Sequence, residues 1–215
     1  MTSAYIALEG IDGAGKDTQL TLLARRLERE GVTPIVLHEP SFGVHGRRIR
    51  VSLNSIAEDV EEQRALFTAD RVDHVASKII PALAFVRANP GFVILQNRSI
   101  LSAAAYQPRG SGDDGLLKTI EAELRIAPMP EAIIVLDVPV DIALSRIGSK
   151  GAPNAMERPD RLAAARERYR RLCELLPACR LIEAAGDPDD VASRVYAALS
   201  RNYDNRSPLT EIDNH

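Results

Sequence analysis

A chain of 215 residues with 45 % hydrophobic and 27 % charged residues carries enough apolar material for one buried core. Chains of about 150–300 residues hide roughly 70 % of their unfolded surface. The formal net charge of −3, with basic residues in short clusters, argues against a polynucleotide partner and suits a small anion better.

In chain order, residues 4–9 (AYIALE) form the first strand candidate. Residues 18–29 follow as a helix with Leu20, Leu23 and Leu27 on one face and Gly31 as its stop. Residues 34–38 (PIVLH) are a second strand, ended by Glu39-Pro40. Residues 61–83 read as one long helix, in which Leu66, Val72, Val75 and Ile79 recur at near-helical spacing. That face suits core burial and a contact with a second copy equally well. Asn89-Pro90-Gly91 makes a turn, residues 92–96 (FVILQ) the third strand and residues 116–124 a helix. Residues 133–138 (IIVLDV) are the fourth strand, and another helix starts over 140–147. A stretch rich in Gly, Pro and Asn over 148–159 leads into a basic amphipathic helix over 161–176. A short strand at 180–182 and a helix over 188–199 close the pattern, with Asp187 as N-cap and Pro188 at the first helical position.

Strands alternating with helices predict a parallel sheet covered on both faces: a doubly wound, three-layer α/β fold on five strands. The expected organisation is one domain over residues 1–200, with a lid at about 147–160 and a polar, frayed tail over 201–215. No apolar run approaches the ~20 residues that span a bilayer. The first strand begins too near Met1 to leave room for a signal peptide, so the expected location is the cytoplasm. Cys173 and Cys179 show no metal-ligand spacing and are expected to be free thiols.

The most informative motif joins the first strand to the first helix: Gly10-Ile11-Asp12-Gly13-Ala14-Gly15-Lys16. It fits the first seven positions of G-x-x-x-x-G-K-[ST], the loop of P-loop nucleotide-binding folds. Small residues let backbone N–H groups turn toward a polyphosphate, and the helix N-terminus adds partial positive charge. Lys16 is placed to reach the terminal phosphates of ATP as a point charge. Asp17 stands where a Ser or Thr hydroxyl normally holds Mg²⁺, and Thr18 follows it. Gly10, Asp12, Gly13, Ala14, Gly15, Lys16, Asp17 and Thr18 therefore form the expected ATP-binding set, with Asp17 and Asp12 as metal candidates.

Further motifs in order resemble the thymidylate kinase family over roughly residues 4–200. His38-Glu39-Pro40 with Gly46 and Ile49-Arg50 resembles R-E-P…G…I-R. Phe67 to Arg71, then His74 and Ile80-Pro81-Ala82-Leu83, resembles F-x-A-D-R…H…I-x-P-A-L. Asn97-Arg98-Ser99, Ser102 and Ala105-Tyr106-Gln107 resemble D-R-x…S…A-Y-Q. The resemblance implies a three-layer P-loop NTPase fold with a short lid, and transfer of phosphate from ATP to dTMP with Mg²⁺ by a homodimer. It implies that Phe67 stacks on the base, Arg71 donates to a base carbonyl and Arg98 binds the acceptor's phosphate. Tyr106 is implied to lie against the sugar and Asp12 between the sugar and the metal-bound phosphates; Glu39 and Ser102 complete the substrate-binding set. The implied catalytic residues are Lys16, Asp12, Arg98 and lid cations drawn from Lys150, Arg158 and Arg161, with Arg146 at the lid's root.

Two positions depart from that pattern. The acidic residue expected at the end of the third strand is Asn97, and the polar residue expected after Ser102 is Ala103. Two other readings therefore stand beside the first: a kinase for dUMP or a modified pyrimidine nucleotide, and a nucleotide-binding homologue with impaired catalysis. Asp17 is expected to supply the carboxylate that Asn97 lacks.

Overall fold

A computed structural model describes residues 5–53, 59–149 and 154–200. Five strands form one all-parallel sheet in the order β2-β3-β1-β4-β5: β1 (Tyr5–Glu9), β2 (Thr33–His38), β3 (Phe92–Asn97), β4 (Ala132–Asp137) and β5 (Cys179–Glu183). The inner strands β1, β3 and β4 are almost entirely buried, as expected of a sheet covered on both faces. Ile6 lies opposite Leu95 on one side and Ala132 on the other, so β1 is the central strand. The chain runs from β1 outward to β2, back to β3 beside β1, and then crosses to β4 on the other side of β1. The carboxyl ends of the strands at such a reversal form the crevice where ligands bind in open α/β sheets.

Around the sheet pack α1 (Lys16–Arg29), α2 (Val44–Ser52), α3 (Val60–His74), α4 (Ile80–Ala88), α5 (Ile100–Tyr106), α6 (Gly112–Leu124), α7 (Val140–Gly148), α8 (Pro159–Leu175) and α9 (Pro188–Ser200). A 3₁₀ turn at Ala155–Glu157 precedes α8. The expected single helix over 61–83 is a helical run from α3 to α4 interrupted by a π turn at Val75–Ile79. Pro81 explains the interruption: a proline ring collides with the carbonyl four residues earlier, and a widened turn just before it relieves the clash. Within that run Leu66, Val75 and Ile79 are core residues, whereas Val72 is 48 % exposed.

The short helices α2 and α5 were not expected from periodicity, being too brief to show it. The start of α9 agrees with the sequence: Asp187 Oδ1 accepts from Asp189 N at 2.9 Å, with Pro188 opening the helix. The free-thiol expectation is corrected. Cys173 in the last turn of α8 and Cys179 at the start of β5 are joined in a disulfide, because the intervening turn brings their Cα atoms to 4.7 Å. Among the described residues no helix is long and apolar enough to cross a membrane.

Candidate active site

The loop from Gly10 to Gly15 leaves β1 and delivers Lys16 to the first turn of α1. Gly10 and Gly13 adopt φ of 133° and 79°, and a Cβ on either would lie 2.6 Å from Leu136 O or 2.3 Å from Ala143 O. Glycine is thus what lets the loop seat against β4 and α7. Lys16 Nζ folds back onto the loop, donating to Gly10 O at 3.0 Å and Ile11 O at 2.9 Å. Burial pulls its pKa down to about 8, with Arg98 pushing the same way and Asp12 opposing. Phosphate oxygens would give this ammonium charged partners in place of carbonyls.

Two cavities meet beside the loop. The larger, about 780 Å³, runs past Lys16, Asp17, Thr18 and Asn97 to Arg146, Pro188 and Val191. The smaller, about 160 Å³, is enclosed by Leu53, Phe67, Arg71, Ala103, Tyr106 and Met156. Asp12, Arg98, Asn154 and Glu157 line both. At the larger cavity's far end Arg146 donates to Ala184 O at 3.1 Å and to Gly13 O at 3.4 Å, tying the loop to the segment before α9.

Arg98 stands at the junction. Its φ of 66° is the one left-handed value outside glycine among the described residues. Two anchors on β1 hold that turn: Arg98 N donates to Leu8 O at 2.9 Å, and Ser99 N donates to Glu9 Oε1 at 2.5 Å. Its guanidinium donates to Asp12 Oδ1 at 2.5 Å and to Ser102 Oγ at 3.3 Å. Burial opposes ionisation of Asp12, but Arg98 and Lys16 outweigh it and hold the carboxyl below its ordinary range. Tyr106 lies close by, its hydroxyl 3.5 Å from Asp12 Oδ2.

Beneath Arg98 the fully buried Glu9 is saturated with donors. Oε1 accepts from Ser99 N and from Ser99 Oγ at 2.8 Å; Oε2 accepts from Ser102 Oγ at 2.7 Å and Tyr169 OH at 2.8 Å. Ser102 is thus engaged in holding Arg98 and Glu9. Glu9 was missed in the sequence, although one carboxylate in an otherwise apolar strand was a legible sign; Tyr169, far along α8, gave none.

On α3, Phe67 is half-buried and forms part of the smaller cavity's wall. Arg71, deeper, is 4 % exposed and bound between two buried carboxylates. Its Nε and Nη2 donate to Glu39 Oε2 at 2.9 and 2.7 Å, Nη1 to Glu123 Oε2, and Nη2 also to Ser99 O at 3.1 Å. Burial opposes ionisation of Glu39, but Arg71 and His74 overcome it, leaving its pKa lowered. One Nη1 hydrogen of Arg71 has none of these partners.

Among the described residues, the cations expected from a lid are not brought to the cavities. Lys150 lies outside the described residues. Arg158 is turned to Asp160, its Nε 3.1 Å from Oδ1, and lines neither cavity. Arg161 Nη1 contacts Met156 Sδ at 3.3 Å. From the segment expected to be a lid, the described residues that line the cavities are Asn154, Met156 and Glu157; Asn154 caps the 3₁₀ turn and Glu157 accepts from its backbone N–H at 2.7 Å.

Among the described residues no group of three or more His, Cys, Asp or Glu forms a chelating cluster. A cation here would be shared with phosphate oxygens, the usual situation of Mg²⁺. Asp17, exposed at the larger cavity, and Asn97 beside it fit that role: Asn97 Nδ2 donates to Asp17 Oδ1 at 2.5 Å, and Asn97 Oδ1 is buried with no partner.

The chain is similar to known proteins over most of its length. The sequence profile described as Thymidylate kinase matches residues 8–195. The thymidylate kinase of Akkermansia muciniphila is 37 % identical over 198 residues, 92 % of each chain. Those of Xanthomonas campestris pv. campestris and Xanthomonas oryzae pv. oryzae are 35 % identical over 196 residues, covering 90 % of this chain and 82 % of theirs.

Proposed function

The chain belongs to the thymidylate kinase family, and from that premise we propose how its own residues carry the terminal phosphate of ATP to dTMP, giving ADP and dTDP. The observation that carries the proposal is the pair of cavities meeting at Asp12 and Arg98. ATP occupies the larger one, with its phosphates on the loop from Gly10 to Thr18. dTMP occupies the smaller one, its base against Phe67 and its sugar against Tyr106.

Arg98 binds the acceptor phosphate with guanidinium N–H groups other than the one it donates to Asp12. Its planar fork suits an oxyanion, and the two β1 anchors fix where that fork points. Arg71 directs its remaining Nη1 hydrogen at a base carbonyl, while Glu39 and Glu123 hold the rest of the guanidinium. Transfer breaks the bond between the γ-phosphorus and the oxygen bridging it to the β-phosphate. A dTMP phosphate oxygen, already an anion, forms the new bond, so no general base is needed. Lys16 stabilises charge on the migrating group, aided by a lid cation: Lys150, Arg158 or Arg161 on closure over about 147–160. Asp17 and Asp12 would hold Mg²⁺, whose chemistry when bound is to neutralise charge on the β- and γ-phosphates.

Ala103 in the wall of the acceptor cavity makes base selectivity the property to measure. A coupled ADP-release assay with ATP and Mg²⁺ against dTMP, dUMP, dCMP, dGMP and dAMP tests the proposal. Preference for dTMP supports it; preference for another monophosphate, or no turnover, defeats it. We further propose a cytoplasmic homodimer. Val44, Val51, Val72 and Ile80 on α2, α3 and α4 are 70, 88, 48 and 50 % exposed, apolar side chains that a second copy would cover. Sedimentation at a single-copy mass would refute the dimer.

A further inference from the structure

P-loop phosphotransferases usually hold their cation with a Ser or Thr hydroxyl after the loop lysine and an Asp at the end of a neighbouring strand. Here a carboxylate follows the lysine, at Asp17, and β3 ends on an amide, Asn97. The carboxylate count is the same as in the usual pair, but its place is reversed. The two side chains touch, Asn97 Nδ2 donating to Asp17 Oδ1 at 2.5 Å. That bond fixes the amide's orientation, because the flipped form would press its carbonyl oxygen against a carboxylate. Asn97 Oδ1 is consequently buried and unpartnered, on a residue 7 % exposed that lines the larger cavity. A buried acceptor left unpaired in a native structure asks for an explanation, and a role toward a cation is one.

The other carboxylates lining that cavity are already committed. Asp12 is paired with Arg98, Glu39 with Arg71, and Glu157 with the backbone N–H of Asn154. Asp17 alone among these has a neutral amide as its side chain's partner. We propose that the cation-holding carboxylate of this enzyme has moved from the end of β3 to the start of α1. Asp17 supplies the charge, and Asn97 is a positioning residue that orients it and offers Oδ1 as the neutral oxygen a hydroxyl would otherwise provide. The inference rests on the phosphotransfer reading above and adds which of two candidate acids serves the metal-bound nucleotide.

The test is calorimetric titration of the full chain with ADP, with and without Mg²⁺; the ratio of the two affinities measures how strongly protein and metal cooperate. Asp17→Ser is expected to lower that ratio at least about tenfold, the usual scale for disturbing metal support. Asp17→Asn, which keeps the shape and removes the charge, is expected to do the same. Metal-free ADP is expected to bind both variants as well as or better than the native chain, since a negative charge beside the phosphates has gone. Placing Asn97→Asp on Asp17→Ser is expected to restore the ratio. An unchanged ratio in either single variant, weaker metal-free ADP binding, or a double variant no better than Asp17→Ser overturns the assignment. Failure of the kinase reading shows differently: the native chain would phosphorylate no monophosphate while its ADP binding kept the Asp17-dependent metal enhancement.

Discussion

Replacing Arg71 by Met tests the buried centre of the site. The guanidinium lies between Glu39 and Glu123, whose side chains are 6 % and 3 % exposed. Removing one partner of a buried ion pair strands the other charge, at a cost of about 3–5 kcal/mol. At about 2–4 °C per kcal/mol for a chain of this size, Tm should fall by roughly 6–20 °C. The pH dependence is the sharper discriminator. In the native chain Glu39 is held below its unfolded pKa of about 4.3, so its contribution is present above that value and fades as pH falls through the lower folded one. In Arg71→Met the sign reverses: a buried carboxylate without its guanidinium binds a proton more readily than in the unfolded chain. The variant therefore gains stability as pH falls toward about 5, and its deficit against the native chain narrows. Urea unfolding of both proteins at pH 5 and pH 8 supplies the measurement. A loss below about 1 kcal/mol, or the same deficit at both pH values, would show that Arg71 does not hold these carboxylates as described.

Three further outcomes are expected. Lys16→Ala should lower kcat for dTMP phosphorylation at least about 10²-fold while leaving thermal stability near native; a smaller loss removes Lys16 from the transfer step. Gly13→Ala places a Cβ 2.3 Å from Ala143 O at a φ of 79°, so it should destabilise the chain by more than about 1–3 kcal/mol and weaken ADP binding in calorimetry. Native-like ADP affinity in that variant would contradict the seating of the loop on α7. Glu9→Gln keeps the shape but removes the charge on which four donors converge, exchanging charge-assisted bonds for neutral ones at about 1–3 kcal/mol. Because Glu9 anchors the turn carrying Arg98, KM for dTMP should rise more than KM for ATP; an equal rise would refute that positional account.

The sequence by itself determined the α/β alternation, the five strands and the loop with Lys16. Each is local: an apolar run between turn residues, a glycine pattern at a strand-to-helix junction, Asp187-Pro188 opening a helix. It also brought Asn97 and Asp17 under notice together, since both depart from one motif. Their direct contact at 2.5 Å was not legible, because the residues lie 80 positions apart and meet only when β3 is laid beside β1.

Tertiary structure decided the rest. Arg71 appears in the sequence as a cation one turn beyond Phe67; that it is clasped by Glu39 and Glu123 depends on β2, α3 and α6 converging. The family resemblance implies a substrate ligand at Ser102, yet its hydroxyl is shared with Glu9, Tyr169 and Arg98. The periodicity of residues 61–83 left core and contact face undivided, and packing separated Leu66, Val75 and Ile79 from exposed Val72. Cys173 and Cys179 pair because a turn between α8 and β5 brings them together. Periodicity and turn chemistry act over a few residues and survive in one dimension. The partners of a buried charge are set by which strands lie side by side, and in a parallel sheet every neighbour arrives from a distant part of the chain.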